Sequence, residues 1–278
     1  MKWNKTVLVL LTVCVCWSGA QYAIAEDAQI LVQADKPGIK VSPLLYGIFF
    51  EEIQRAGDGG IYAEMVQNRS FEDADQPQAW RLVKGGETAK GTMALDSSRP
   101  LNAKNPHALR VDIAKAGGGR IGVANKGFKG IALQKNAQYL LSLYSRCDDK
   151  FKGPICVSLE KADGTVLAQE KIQGIGEDWK KFDCVLTANA TESNATLVIW
   201  STASGIVWLD MVSLFPKDTF KGRPNGLRKD LAQMLVDLKP AFLRFPGGCF
   251  VEGDKIVNAT RWKETIGDVA LRPGHWNL

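Results

Sequence analysis

Histidine is scarce: His107 and His275 are the only two in 278 residues. A metal centre with His/Cys ligand spacing is therefore not expected, and a Ser/His/Asp hydrolase is disfavoured. No Gly-rich loop of phosphate-cradling spacing precedes a helical pattern, so no nucleotide site is expected. Beyond Trp17 no stretch reaches the ~18 apolar residues that a membrane-spanning helix needs. Charge of one sign is also lacking. Lys and Arg number 35 against 30 Asp and Glu, a net +5. That excess is too mild and too evenly spread to point to nucleic acid. Six cysteines do not make a disulfide scaffold at this length, and no internal repeat is present.

What is present begins with a three-part N-terminal pattern. Lys2 to Lys5 is basic and polar, Val7 to Trp17 is apolar apart from Thr12, and Ala23-Ile24-Ala25 offers small residues for cleavage. Residues 1–25 thus read as a secretory signal peptide, and the apolar run is too short to span a bilayer. The expected location is secreted: extracellular, or periplasmic in a Gram-negative host. No membrane association is expected after cleavage. Lys2 and Lys5 leave with the signal, so the remaining net charge is +3. Cys147, Cys156, Cys184 and Cys249 remain, with their pairing undetermined.

The rest of the chain divides into three patterns. Over 26–75, Ile30 to Gln33 reads as a short strand and Leu44 to Phe50 as a strand buried on both faces. Ile61 to Asn68 reads as a short helix. Over 76–216, apolar residues alternate in short segments. Strands are expected at 109–113, 139–144, 155–160, 166–171, 179–186, 196–200 and 207–215, with Asp163-Gly164 as a hairpin turn. Many short strands separated by turns argue for an antiparallel β-sandwich, jelly-roll-like. Over 217–278, Leu227, Leu231, Met234, Leu235 and Leu238 form the stripe of an amphipathic helix, capped by Asn225 and stopped by Pro240. Ala241 to Phe245 then reads as a buried strand. Helix followed by buried strand is α/β alternation. The expected class is therefore α/β plus all-β, with the sandwich inserted between two pieces of one α/β domain.

Two places carry chemistry. Glu51 and Glu52 end the first buried strand. Neighbours on a strand point to opposite faces, so they do not form a catalytic pair by themselves. In a barrel of parallel strands the C-terminal strand ends build the active site, and a carboxylate there can accept hydrogen bonds from sugar hydroxyls. The second place is Arg244-Phe245-Pro246-Gly247-Gly248-Cys249-Phe250. Here Arg244 can hold a carboxylate, and the glycines permit a tight turn close to a ligand. No base for Cys249 is identifiable, so it is not read as a nucleophile.

Residues 45–52 (LYGIFFEE), 59–62 (GGIY) and 68–72 (NRSFE) resemble the opening of the α-L-arabinofuranosidases of glycoside hydrolase family 51. Residues 243–253 (LRFPGGCFVEG) resemble that family's second-strand motif, and 261–267 and 272–278 resemble the segments that come after that motif in the family. Residues 207–215 (VWLDMVSLF) resemble the last strand of a carbohydrate-binding-module-like sandwich. The resemblance implies the start of a (β/α)8 TIM barrel, incomplete with about two strands, interrupted by the sandwich. The chain's first strand is then assigned to the family's C-terminal β-domain. It implies retaining release of terminal α-L-arabinofuranosyl groups from plant arabinan and arabinoxylan, without metal or cofactor. By motif position it implies that Glu51 binds sugar hydroxyls, Cys249 lines the arabinose pocket and Arg244 supports the nucleophile carboxylate. A retaining mechanism needs two carboxyl groups about 5 Å apart. In the family both are Glu, the first in an Asn-Glu motif, and these 278 residues contain no Asn-Glu pair. Both catalytic residues are thus expected beyond Leu278, and the 278-residue chain alone is expected to be inactive. The alternative reading is a secreted carbohydrate-binding protein without catalysis, with Trp80, Trp179, Trp200 and Trp208 as candidate stacking residues.

Overall fold

A computed structural model describes residues 28–274. The expected signal peptide and the tail from His275 to Leu278 lie outside them. The chain divides into residues 1–42 and 43–278. In the first unit, the described residues form no strand and are exposed. The strand expected at Ile30 to Gln33 is absent, since no described residue pairs with it. Among the described residues no helix is long and apolar enough to cross a membrane.

The second unit is mostly β with few helices. Its strands are β1 (Ile48–Phe49), β2 (Trp80–Lys84), β3 (Lys90–Asp96), β4 (Ala108–Lys115), β5 (Ile121–Asn125), β6 (Ile131–Leu133) and β7 (Gln138–Cys147). The remaining strands are β8 (Ile155–Glu160), β9 (Val166–Ile172), β10 (Lys180–Thr187), β11 (Glu192–Ser201), β12 (Gly205–Pro216) and β13 (Leu243–Arg244). One antiparallel sheet runs β10-β7-β12-β4-β3. The other runs β2-β5-β11-β8-β9, with β6 also on β11. All seven strands expected between 109 and 215 are present within a few residues. At the turn joining β8 to β9, Gly164 has φ +87°, which suits glycine.

Alternation places one face of each strand in a core shared by the two sheets. Leu109, Val111 and Ile113 of β4 meet Ile121 and Val123 of β5, Val157 and Leu159 of β8, and Leu197 and Ile199 of β11 in one cluster. β8 is buried along its whole length, so its polar side chains need partners. Glu160 takes both terminal nitrogens of Arg120 at 2.5 and 2.7 Å. Ser158 Oγ donates to Glu160 at 2.5 Å and accepts from Trp200 Nε1 at 3.2 Å.

The segment entering the sheets lies beside the segment leaving them. Arg228 N donates to Ile61 O, Ala63 N to Gly226 O, Met65 N to Leu214 O and Val212 N to Arg69 O. Between them sits Glu64, 3% exposed. Its carboxylate accepts from the amides of Met65, Val66 and Leu214, from Ser213 Oγ at 2.5 Å and from Arg69 Nη1 at 3.3 Å. Burial pushes the Glu64 carboxyl up, and Arg69 and these donors oppose it. The helix expected at Ile61 to Asn68 is not formed. The segment bonds instead to residues 212–228 through backbone and the Glu64 carboxylate, and Asn68 adopts φ +53°.

The two-residue strands β1 and β13 pair in parallel, Ile48 with Leu243 and Phe49 with Arg244. Helix α1 (Lys229–Asp237) precedes β13. Both strands and the apolar stripe of the helix were expected to be buried, yet Phe49, Leu243 and Met234 are 55, 49 and 64% exposed. Among the described residues β1 and β13 have only each other as neighbours. α1 buries only Ala232, and no side chain caps its start; Asn225, the expected cap, lies outside it.

Asp210 of β12 is fully buried. Its Oδ1 accepts from Met211 N, and its Oδ2 has no partner among the described residues. Burial pushes its carboxyl up to about 8, against the Met211 amide and with help from Glu72. The unfolded value is about 3.9, so the folded chain keeps a proton that the unfolded chain releases between those pH values. Stability therefore falls as pH rises from about 4 to about 8. Asp210→Asn should match wild type near pH 4 in urea unfolding. At pH 8.5 it should be more stable, by a few kcal/mol in order of magnitude. Equal pH dependence of the two proteins would contradict this.

Candidate functional site

Parallel pairing places the C-terminal ends of β1 and β13 side by side, so residues 51 and 246–250 meet. Phe50 N donates to Arg244 O at 2.9 Å and Glu52 N to Pro246 O at 2.8 Å. One oxygen of Glu51, Oε1, accepts from Gly248 N and Phe250 N, both at 3.1 Å. Gly247 has φ +140°, and a Cβ there would lie 2.5 Å from Glu51 Cγ. Only glycine lets the turn close against this side chain. Glu51 is thus pinned by one oxygen, while Oε2 takes no hydrogen bond from the described residues.

Arg244 leaves the end of β13 with its guanidinium 4.7 Å from the Phe49 ring centroid. A Cβ on Gly248 would lie 3.9 Å from both Arg244 Nη2 and Glu51 Oε1. The cation and the carboxylate therefore flank one glycine. Cys249 opens the helical turn Cys249–Glu252 and is an exposed free thiol. Thr260 Oγ1 donates to Phe250 O at 3.0 Å and fastens that turn. The structure thus gathers Glu51, Arg244 and Cys249 at one end of the strand pair. It adds Phe49, Phe50 and Phe245, which the reading of the sequence missed. Phe50 and Phe245 have ring centroids 5.6 Å apart, and the signal for them was the Phe-Phe pair directly before Glu51.

No group of three or more His, Cys, Asp or Glu among the described residues has metal-binding geometry. The tryptophans separate. Trp80 is buried in the core, with Nε1 on Asn68 O. Trp200 belongs to the Ser158–Glu160–Arg120 network. Trp179 and Trp208 are half-buried, with Nε1 on Arg99 O and Asp96 Oδ2 respectively.

The family model described as "Alpha-L-arabinofuranosidase 1 domain" matches residues 234–278. The chain is similar to α-L-arabinofuranosidase 2 of Arabidopsis thaliana, 40% identical over 90% of this chain and 39% of that one. It is similar to an extracellular exo-α-L-arabinofuranosidase of Streptomyces chartreusis, 34% identical over 91% of this chain and 31% of that one. Among solved structures it resembles the arabinose-bound α-L-arabinofuranosidase MgGH51, with TM-score 0.79 and 34% identity over 87% of this chain and 41% of that one. The chain spans about two fifths or less of the length of these relatives.

Replacing Glu51 with Ala removes the acceptor of two amides. Site-resolved hydrogen exchange at Gly248 and Phe250 should accelerate by about tenfold or more, the loss of charge-assisted hydrogen bonds. Amides in β8 should be unaffected. Unchanged exchange at both sites would contradict the pinning role.

Proposed function

Taking as premise that the chain is a portion of a glycoside hydrolase family 51 protein, we propose that the whole protein is a retaining α-L-arabinofuranosidase. It removes terminal non-reducing α-L-arabinofuranosyl groups from arabinan or arabinoxylan outside the cell. The observation that carries this reading is Glu51 pinned on the Gly248 and Phe250 amides beside Arg244, at the C-terminal ends of two parallel strands. In that architecture residues 26–75 and 217–278 begin a (β/α)8 barrel. Residues 76–216 are a β-sandwich inserted between them, and residues 1–25 are a signal peptide.

The free oxygen of Glu51 accepts hydrogen bonds from the sugar's hydroxyls, which fixes the furanose ring. Cys249 lines the pocket beside it. Arg244 offers its guanidinium to the nucleophile carboxylate and holds it ionised and oriented. The reaction then needs a carboxylic acid to protonate the leaving oxygen and a carboxylate to form the glycosyl-enzyme. In this reading both are Glu residues outside these 278; the Asn-Glu pair expected to hold the first of them does not occur among these residues. Neither step calls for a metal or a redox group.

Two measurements test this. The 278-residue chain should release no arabinose from an aryl α-L-arabinofuranoside. The reading frame continued past codon 278 should enter an Asn-Glu motif, and its product should hydrolyse that substrate with retained configuration by NMR. In that product Glu51→Ala should lower kcat/KM by about a hundredfold or more, the scale for losing a transition-state hydrogen bond to a charged group. Turnover by the 278-residue chain, or an inactive continued product, would contradict the reading.

A further inference from the structure

Loops of the two sheets grip both segments that leave the C-terminal ends of β1 and β13. The first grip is on residues 53–60, which follow Glu51 and Glu52. Ile53 N donates to Glu51 O at 2.9 Å and Ala56 N to Ile53 O at 3.0 Å, so the loop folds back directly beyond the pinned carboxylate. Gln54 and Arg55 have φ +51° and +65°. Such left-handed conformations cost energy in residues other than glycine and persist only where the surroundings hold them. Phe128, in the turn between β5 and β6, supplies that hold. Gly59 (φ +81°) lies so close to the Phe128 ring that a Cβ would collide with it, and the Arg55 guanidinium is 5.2 Å from the ring centroid. The turn bearing Phe128 is itself fixed. Fully buried Asn125 accepts from Gly127 N at 2.7 Å and donates to Gln67 O at 2.8 Å.

The second grip is on residues 268–272, in the segment that follows β13. Asn102 and Asn105 stand in the loop between β3 and β4. Asn102 Nδ2 donates to Ala270 O at 2.7 Å. Asn105 Nδ2 donates to Ala270 O and to Arg272 O, both at 2.9 Å. Asn105 and Ala270 are buried. Asn105 Oδ1 has no partner among the described residues, so the side chain acts as a donor, which an aspartate of the same shape cannot do when ionised. Asp268 Oδ1 accepts from Ala270 N at 2.9 Å and closes the gripped turn. Earlier in the same segment Thr260 N donates to Val251 O at 2.9 Å, so the segment also touches the helical turn that bears Cys249.

We propose that Phe128 and Asn105 are positioning residues for the Glu51 end of the strand pair: through the two loops they hold, they set the walls that a substrate chain meets beyond the arabinose pocket. Both gripped segments follow C-terminal strand ends, where a barrel of parallel strands builds its site. The grips come from different sheets, the β3–β4 loop from one and the β5–β6 turn from the other, so neither sheet alone supplies both. In this role the sheets act by holding backbone and need no sugar-binding surface of their own. The positioning stands on these contacts alone, whereas its effect on substrate rests on the hydrolase reading.

Two arms test it. In site-resolved hydrogen exchange on the 278-residue chain, Phe128→Ala should accelerate the amides of Ala56, Ile61, Gly248 and Phe250 by about tenfold, the loss of one packed ring. Phe128→Tyr, which keeps the ring, should restore them. Asn105→Asp should accelerate Ala270 and Leu271 by about tenfold, the loss of buried hydrogen bonds. Amides of β8 should be unchanged in all three, which separates local release from unfolding. In the product continued past codon 278, Phe128→Ala and Asn105→Asp should raise KM for arabinoxylan by about tenfold, with kcat on the aryl α-L-arabinofuranoside at its wild-type value and Phe128→Tyr like wild type. Unchanged exchange at Gly248 and Phe250 in Phe128→Ala, or an equal loss on the aryl substrate and the polymer, would overturn the proposal. An inactive continued product would instead contradict the hydrolase reading, and exchange at Gly248 and Phe250 would still decide the positioning.

Discussion

The carboxylate of Glu64 is the join on which the arrangement depends. It is buried, and it accepts from backbone and side chain on both the segment entering the two sheets and the strand leaving them. Removing a carboxylate from water costs several kcal/mol, and only such a full set of donors offsets that cost. The chain thereby leaves β1, builds eleven strands and returns to the same place. Hydrogen bonds from Arg228 to Ile61 and from Ala63 to Gly226 continue the contact toward the strand pair. β1 and β13 can then pair in parallel although nearly two hundred residues separate them.

The site depends on that return. Glu51 and the Gly248 and Phe250 amides meet only because the two strand ends are in register, and the positive φ of Gly247 lets the turn close over the carboxylate. Phe49 supports Arg244, and Thr260 fastens the turn that bears Cys249. One oxygen of Glu51 is held by backbone amides, and Arg244 is held against an aromatic ring. The geometry therefore belongs to the fold and needs no ligand to assemble it.

Much of this was legible in the amino-acid order, and the omissions have physical causes. Strands such as 155–160 and 207–215 were readable from apolar runs and alternation. β2 and β3 were missed because they are edge strands whose exposed positions carry Arg81, Lys84, Lys90 and Thr92. β5 was missed because Gly122 and Asn125 interrupt its apolar pattern. The helix expected at 61–68 failed because Glu64 is satisfied by its own backbone and by β12, a long-range contact that no local pattern announces. The helical stripe of α1 was readable but its burial was not, because burial depends on what packs against it. Glu51, Arg244 and Cys249 stood out by type and position, whereas the capture of one Glu51 oxygen by two amides did not.

The most direct test is peptide-resolved hydrogen exchange on Glu64→Gln compared with wild type. If the Glu64 carboxylate joins the sheets to the strand pair, segments 46–52 and 241–250 should lose protection together with 61–69 and 212–216, while the core strands β5, β8 and β11 keep theirs. Protection lost only around residue 64, with the two strand segments unchanged, would contradict the account.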